Sequence, residues 1–142
     1  MCIRDRADVY LTRQLSLQRP IALKVLRSDL AKDSTYVERF LREARAVAAL
    51  VHANIVQIFE VGQHENIHFI AQEYVSGQNL KMWLRRNGAA KPKLAMEIMV
   101  GTAQAIQKAD EFQVVHRDIK PENIMLSDNV EVKVTDLSLI HI

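Results

Sequence analysis

A polar segment between two apolar stretches is the feature that most constrains this chain. Residues 116–123 run His-Arg-Asp-Ile-Lys-Pro-Glu-Asn, and six of these eight residues are polar or ionisable. Pro121 has no backbone N–H to donate, so it excludes a regular helix or a central strand at this point. Polar groups in such a position cost stability unless they pair with one another or face water. We expect a loop that carries chemistry, because a merely solvated loop does not account for the order of these residues.

Composition excludes several classes of protein. The chain has 142 residues, of which 49% are hydrophobic and 25% charged, as is typical of a globular domain. Its formal net charge of +2 argues against a dedicated binder of nucleic acid or of anionic membranes. No apolar run approaches the roughly 20 residues that span a bilayer, and a single cysteine, Cys2, excludes an internal disulfide. We expect a cytoplasmic domain in which this segment binds neither nucleic acid nor membrane, while the parent protein can be tethered to a membrane outside this segment.

Hydrophobic periodicity predicts a β-rich first part. Apolar, β-prone runs predict two antiparallel hairpins, with a turn signal at Arg19-Pro20 in the first and a turn at Gly62–Asn66 in the second. An amphipathic helix is predicted from Val37, with one of residues 33–35 as its cap. The four strands are predicted at Val9–Thr12, Ile21–Leu26, Ile55–Val61 and Ile67–Ala71.

The second part is predicted to be mainly helical. Ser76-Gly77 is expected to break the chain, a short helix to cover Asn79–Arg86, and a longer helix to begin near Pro92. Its predicted buried face comprises Ala95, Ile98, Met99, Thr102, Ala103 and Ile106. Further strands are predicted at Val114-Val115, Ile124–Leu126 and Val130–Val134. The pattern indicates an α+β fold whose two parts join near residues 73–77.

The order of residues 116–123 resembles the catalytic loop of protein kinases, in which an aspartate is followed five residues later by an asparagine. The chain is thereby identified as similar to the bacterial-type, eukaryotic-like serine/threonine protein kinase domains. The resemblance implies that Asp118 accepts the proton of the substrate hydroxyl, Asn123 binds magnesium and Lys120 stabilises the transferred phosphoryl group. A lysine at position 120 resembles kinases that phosphorylate Ser or Thr, so the implied partner is a protein substrate with such a hydroxyl. The implied fold is a small lobe of antiparallel strands with one long helix, followed by the truncated start of a helical large lobe.

Two further charged residues fit this family. Lys24 is the lone charge in an apolar strand, Ile21–Leu26, and resembles the family's lysine that reaches the α- and β-phosphates of ATP. Glu43 shares a helix face with apolar residues and resembles the glutamate that pairs with that lysine. Alternatively, Lys24 extends its charge from an edge strand to solvent, and Glu43 is a solvated helix residue paired with Arg39.

The implied cofactors are ATP and Mg²⁺. Asp136 follows a predicted strand and resembles the magnesium-binding aspartate of the Asp-Phe-Gly motif, although Leu137-Ser138 stand where phenylalanine and glycine would be. The residues around Glu73 and Val75 resemble the hinge whose backbone binds adenine, with Gln72 at the back of the pocket. Apolar residues that resemble those above and below the adenine ring are Val9, Ala22 and Met125, for which plain core packing is an equally good explanation.

Both ends of the chain resemble a translated sequencing adapter. Residues 1–6 can be encoded by ATG TGT ATA AGA GAC AG plus one base, and residues 137–142 by CTG TCT CTT ATA CAC ATC, which contains the reverse complement of the first string. We expect residues 7–75 to form the small lobe and hinge, and residues 76–136 a partial large lobe through the catalytic loop. The glycine-rich phosphate loop of the family is almost entirely missing before Ala7, so this segment alone is expected to be inactive.

Two other function classes stay open. One is a kinase-like module that binds a nucleotide or a partner without catalysis, but such degenerate members usually lack at least one of the five charged or amide residues that this chain retains. The other is a small-molecule phosphotransferase, whose loop typically lacks the Lys-Pro-Glu found at residues 120–122.

Overall fold

The computed structural model describes residues 7–137 and divides into two compact units. The first unit comprises the described residues up to Ala49 together with Gln57–Tyr74, and the second comprises Leu50–Val56 together with the described residues from Val75. The hexapeptide at residues 1–6 and residues 138–142 lie outside the described part, so the adapter interpretation stays a prediction.

The first unit is a four-stranded antiparallel sheet with one helix. Its sheet has the order β1-β2-β4-β3, and helix α1 packs against β3. The elements are β1 (Ala7–Gln14), β2 (Arg19–Leu26), α1 (Ser34–Ala48), β3 (Ile58–His64) and β4 (Ile67–Glu73). Both predicted hairpins and the predicted helix are confirmed, but the second turn comprises only Glu65 and Asn66, because β3 continues through Gly62 to His64. Asp33 is the cap of α1, since its Oδ1 accepts a hydrogen bond from the Thr35 N–H at 2.9 Å.

The turn of the first hairpin differs from the prediction. Arg19 and Pro20 lie in β2 rather than in the turn, and Pro20 pairs with Arg13 of β1. The strand tolerates Pro20 because β4 pairs with β2 only over residues 21–25, so the missing N–H interrupts no bond on that side.

The second unit combines helices with a three-stranded antiparallel sheet of order β5-β6-β7. Its elements are β5 (Gly77–Asn79), α2 (Leu80–Asn87), α3 (Pro92–Glu111), a 3-10 turn (Pro121–Asn123), β6 (Ile124–Ser127) and β7 (Val132–Val134). One core cluster joins helices and strands through Leu80, Ile98, Ile124, Leu126 and Val132. The predicted α+β class is confirmed. Over residues 7–137, no helix is long and apolar enough to cross a membrane.

Strand β5 was not predicted, because Ser76-Gly77 has the composition of a break. Gly77 has φ 151°, and a Cβ on it would lie 2.0 Å from the Leu126 carbonyl oxygen. The missing side chain therefore lets β5 approach β6 closely. Asn79 ends this strand and caps α2, since its Oδ1 accepts from the Met82 N–H at 2.9 Å.

Two predicted strands begin later than expected, and a third is absent. Ile55 and Val56 lie outside β3 and contact β7 instead, where the Val56 N–H donates to the Val134 carbonyl at 3.0 Å. Val114-Val115 forms no strand. β7 begins at Val132 because Val130 adopts φ 61° in the preceding turn.

The buried face of α3 also differs from the prediction. Its buried residues are Ile98, Gly101, Thr102, Ala105 and Ala109. Met99 and Ile106 were expected to be buried but are 68% and 41% exposed, and Ala103 is exposed as well. A Cβ on Gly101 would lie 2.9 Å from the Val132 Cβ, so the glycine sets the side on which the helix approaches the sheet. A pattern based on large apolar residues does not register such a contact.

Candidate active site

Asp118 is held by Asn123 from within the polar loop. The Asn123 Nδ2 donates to the Asp118 backbone oxygen at 2.9 Å and to its Oδ2 at 3.2 Å. Asn123 is buried, with 5% of its surface exposed, and its own N–H donates to the Lys120 carbonyl at 2.9 Å within the 3-10 turn that Pro121 begins. The loop thus folds back on itself and fixes the orientation of the Asp118 carboxylate.

Lys120 lies against the same carboxylate. Its Nζ is 2.6 Å from the Asp118 Oδ2. The hydrogen bond from Lys120 holds the pKa of Asp118 below its ordinary value, and the Asn123 amide acts in the same direction. Asp118 is therefore ionised at neutral pH and can accept a hydrogen bond or a proton.

His116 links this loop to the end of β7. Its Nδ1 accepts from the Asp118 N–H at 3.1 Å, and its Nε2 lies 3.3 Å from the Thr135 carbonyl oxygen. A neutral ring protonated at Nε2 satisfies both contacts. Burial lowers the pKa of His116 below 6.5, although the bond to Thr135 opposes this shift. The ring is therefore neutral at physiological pH.

Asp136 is connected to the loop through its neighbour. The Thr135 N–H donates to the Asn123 carbonyl at 3.0 Å, which joins the strand end to the 3-10 turn. Asp136 itself has φ 56°, a left-handed conformation that is uncommon for residues other than glycine. The second unit thus brings together four of the predicted site residues: Asp118, Lys120, Asn123 and Asp136.

Lys24 and Glu43 come together in the first unit. Both line a cavity of about 20 Å³ between β2 and α1, whose other walls include Tyr36, Phe40 and Arg39. Lys24 and Glu43 are half-buried. The predicted proximity of the strand lysine and the helix glutamate is therefore present, and Arg39 lies beside the same cavity.

The predicted adenine-pocket residues have different environments. Val9 is 60% exposed on β1 opposite Lys24, whereas Ala22 is buried on β2 opposite Gln72. Glu73 is bound twice to Gln57: its N–H donates to the Gln57 carbonyl at 2.8 Å and its Oε2 accepts from the Gln57 N–H at 3.1 Å. In the second unit, Val75 and Met125 are half-buried.

Comparison with known proteins matches residues 5–141 to the protein kinase domain family. The chain belongs to this family. Members generally use ATP and Mg²⁺. The kinase-like fold that the resemblance implied is therefore confirmed.

Several curated relatives of this kinase segment are serine/threonine kinases. Serine/threonine-protein kinase PrkC of Bacillus subtilis is 43% identical over 133 residues, which cover 94% of this chain and 20% of the relative. Serine/threonine-protein kinase PknB of Mycolicibacterium smegmatis is 40% identical over 137 residues, which cover 94% of this chain and 22% of the relative. The chain spans about a fifth of the length of these relatives.

The oxygen donors of this kinase segment suit Mg²⁺. Asn123 and Asp136 offer an amide oxygen and a carboxylate, which are ligand types that Mg²⁺ accepts. Among the described residues, no three His, Cys, Asp or Glu side chains gather into a site made by protein alone. Two oxygen donors are sufficient for Mg²⁺, which usually binds through one or two protein ligands and completes its coordination with water and phosphate oxygens.

Lys81 and His116 were missed as site residues by sequence reasoning. The Lys81 Nζ lies 2.5 Å from the Glu122 Oε1 and holds the pKa of that carboxyl below its ordinary value. Nothing in the spacing of Lys81 predicts this partner, which is 41 residues away. His116 could have been selected, because a histidine two residues before Asp118 can accept from its backbone N–H.

Proposed function

We propose that the protein containing this segment transfers the γ-phosphoryl group of ATP to Ser or Thr hydroxyls of protein substrates. The observation that carries the proposal is the Asp118 carboxylate, which Lys120 and Asn123 hold in one orientation. Membership of the protein kinase domain family and similarity to serine/threonine kinases support it. The Lys at position 120 supports Ser or Thr as the acceptor.

The proposed reaction requires the acceptor hydroxyl to be oriented and its proton removed. Asp118 accepts a hydrogen bond from that hydroxyl and takes its proton late in the reaction, once the hydroxyl oxygen bonds to the γ-phosphorus. Lys120, 2.6 Å from Asp118, stabilises the negative charge of the phosphoryl group in transfer. The bond between the γ-phosphorus and the β,γ-bridging oxygen breaks, and ADP leaves.

The remaining site residues are proposed to bind the nucleotide and its metal. Asn123 and Asp136 would hold Mg²⁺, which neutralises phosphate charge when bound. Lys24, kept in place by Glu43, would contact the α- and β-phosphates. Adenine would contact the backbone of Glu73 and Val75, Gln72 at the back of its pocket, and the side chains of Val9, Ala22 and Met125. We propose residues 7–75 and 76–136 as the small-lobe and large-lobe parts, and a cytoplasmic location, where ATP is available.

The substitution Asp118→Asn in the full-length protein tests this proposal. It keeps the shape of the side chain but removes the proton acceptor, so phosphate transfer to a casein substrate should fall by about 10²–10⁴-fold. ATP binding, measured with a fluorescent ATP analogue, should stay within twofold of the unsubstituted protein. The matched control is Asp110→Asn, because Asp110 is an exposed residue near the end of α3.

Two results would contradict the proposal. One is undiminished transfer by the Asp118→Asn protein, which would remove Asp118 from the reaction. The other is an unsubstituted protein that binds ATP but phosphorylates neither itself nor casein, which would favour a kinase-like module without catalysis.

A further inference from the structure

An ion pair connects helix α2 to the loop that holds Asp118. The Lys81 Nζ lies 2.5 Å from the Glu122 Oε1, and Glu122 is the middle residue of the 3-10 turn Pro121–Asn123. The Glu122 side chain is 20% exposed and the Lys81 side chain 43% exposed. A pair this accessible contributes little to global stability. Its location favours a local effect, because the next residue in the turn is Asn123.

Helix α2, which carries Lys81, is held in place by a cap and by the core. Its N-terminus is capped by the buried side chain of Asn79, and its first residue, Leu80, belongs to the core cluster with Ile124 of β6. Lys81 therefore extends from a fixed point, and the 3-10 turn that it contacts leads directly into β6.

The charge of Lys81 is unfavourable for α2 alone. Cations near a helix N-terminus face the positive end of the helix dipole, and the first turn of α2 contains no acidic residue. Glu122 supplies the negative charge from outside the helix. The pair thus balances the charge of Lys81 on α2 and that of Glu122 in the 3-10 turn. Removal of either partner leaves the other charge without its counter-charge.

Contacts continue from this pair to the proposed base. Glu122 precedes Asn123, whose Nδ2 donates to the Asp118 backbone oxygen at 2.9 Å and to its Oδ2 at 3.2 Å. The Asn123 carbonyl accepts from the Thr135 N–H at 3.0 Å, next to Asp136. A shift of the 3-10 turn would therefore disturb both the orientation of Asp118 and the junction that places Asp136.

We propose that Lys81 is a positioning residue, which acts through Glu122 to hold the 3-10 turn, and with it Asn123 and Asp118, in the arrangement required for phosphoryl transfer. This inference rests on the proposed function. Lys81 contacts neither the acceptor hydroxyl nor the phosphates in this assignment. Its effect is expected in the rate of the chemical step and not in nucleotide affinity.

Hydrogen exchange of the full-length protein tests the structural half of the proposal without any need for activity. Lys81→Met keeps most of the side-chain volume but removes the charge, so the backbone amides of Asn123 and Thr135 should exchange about fivefold faster. The charge-exchanged protein, Lys81→Glu with Glu122→Lys, should recover at least part of that protection. The matched control is Lys108→Met, which breaks a comparable ion pair with Glu111 on α3 and should leave both amides unchanged.

Steady-state kinetics test the functional half. Lys81→Met should lower kcat about fivefold with the KM for ATP unchanged, and Lys81→Arg should restore kcat because it keeps the charge. Unchanged exchange in Lys81→Met, an equal change in Lys108→Met, or faster exchange with unchanged kcat would each overturn the proposal. If the unsubstituted protein shows no transfer at all, the proposed function fails, while the exchange data still decide whether Lys81 holds the turn.

Discussion

Replacement of Asn123 by alanine tests whether its amide holds the Asp118 loop together. The substitution removes a hydrogen bond to a backbone oxygen and another to a carboxylate, at 2.9 and 3.2 Å. Both bonds start from a side chain that is almost completely buried. Water therefore cannot easily replace the amide as a donor. The loss of the two hydrogen bonds should lower the free energy of unfolding of the second unit.

The expected loss in free energy of unfolding follows from the two acceptors of the Asn123 amide. A bond to a neutral backbone oxygen contributes about 1 kcal/mol, and one to a charged group about 1.5–3 kcal/mol. The lower end applies to the second bond, because the Asp118 side chain is 36% exposed and water screens its charge. We expect Asn123→Ala to lower the free energy of unfolding by about 2 kcal/mol, which moves a urea midpoint by about 1–2 M for a unit of this size.

The chain contains a suitable reporter for this measurement. Trp83 is its single tryptophan, and it packs against the core cluster of the second unit, so its fluorescence follows unfolding of that unit. Asn129→Ala is the matched control, since Asn129 is exposed and should change stability by less than about 0.5 kcal/mol. If the midpoint of Asn123→Ala equals that of Asn129→Ala, the two bonds to Asp118 do not hold the loop, and the reasoning is refuted.

Two further predictions concern the same unit. Burial keeps His116 neutral and lowers its pKa in the folded state below 6.5. Its contribution to stability is therefore complete above about pH 6.5 and is lost as the pH falls toward the folded-state pKa. Urea unfolding followed by Trp83 fluorescence should lose that part of the pH dependence in His116→Gln but not in the control His64→Gln, and an unchanged pH dependence in His116→Gln would contradict the prediction. Gly77→Ala should cost about 3 kcal/mol in the same assay, because its Cβ would lie 2.0 Å from the Leu126 oxygen. Gly88→Ala should cost less, about 1–2 kcal/mol, since no atom lies within 4 Å of its Cβ and only its backbone conformation, φ 74° and ψ −155°, opposes a side chain; equal costs at the two glycines would refute this explanation.

Sequence periodicity predicted the hairpins and α1 because each has one face rich in large apolar residues. It failed where small residues or irregular backbone decide the contact. Gly77 permits a strand where composition indicated a break. Gly101 allows α3 to approach Val132 on the face that carries the glycine, and Met99, on another face, is exposed. Ile55 has the composition of a strand residue, yet it is buried beside Val134 of a strand distant in the chain. No local pattern contains that information.

The candidate site was more predictable than the fold around it. Asp118, Lys120 and Asn123 lie within six residues of one another, so their spacing alone was sufficient to place them together. Lys24 and Glu43 were predicted as a pair because they resemble the family's lysine and glutamate, and the structure places both beside one cavity between β2 and α1. Lys81 was not predictable, because a lysine in the first turn of a short helix gives no indication of a partner 41 residues away.

The contacts of Asp118 also bear on what kind of base it is in the proposed reaction. An effective general base has a pKa near the working pH, whereas Lys120 holds the pKa of Asp118 below even its ordinary value. Asp118 is therefore a weak proton acceptor that is always ionised at neutral pH. Phosphoryl transfer through a loose transition state needs positioning and charge stabilisation more than it needs early proton removal. With Lys120 and Asn123 bound to it, Asp118 therefore serves mainly to orient the hydroxyl and less to remove its proton early. The proton is transferred late, when the oxygen already bonds to phosphorus and its proton has become acidic.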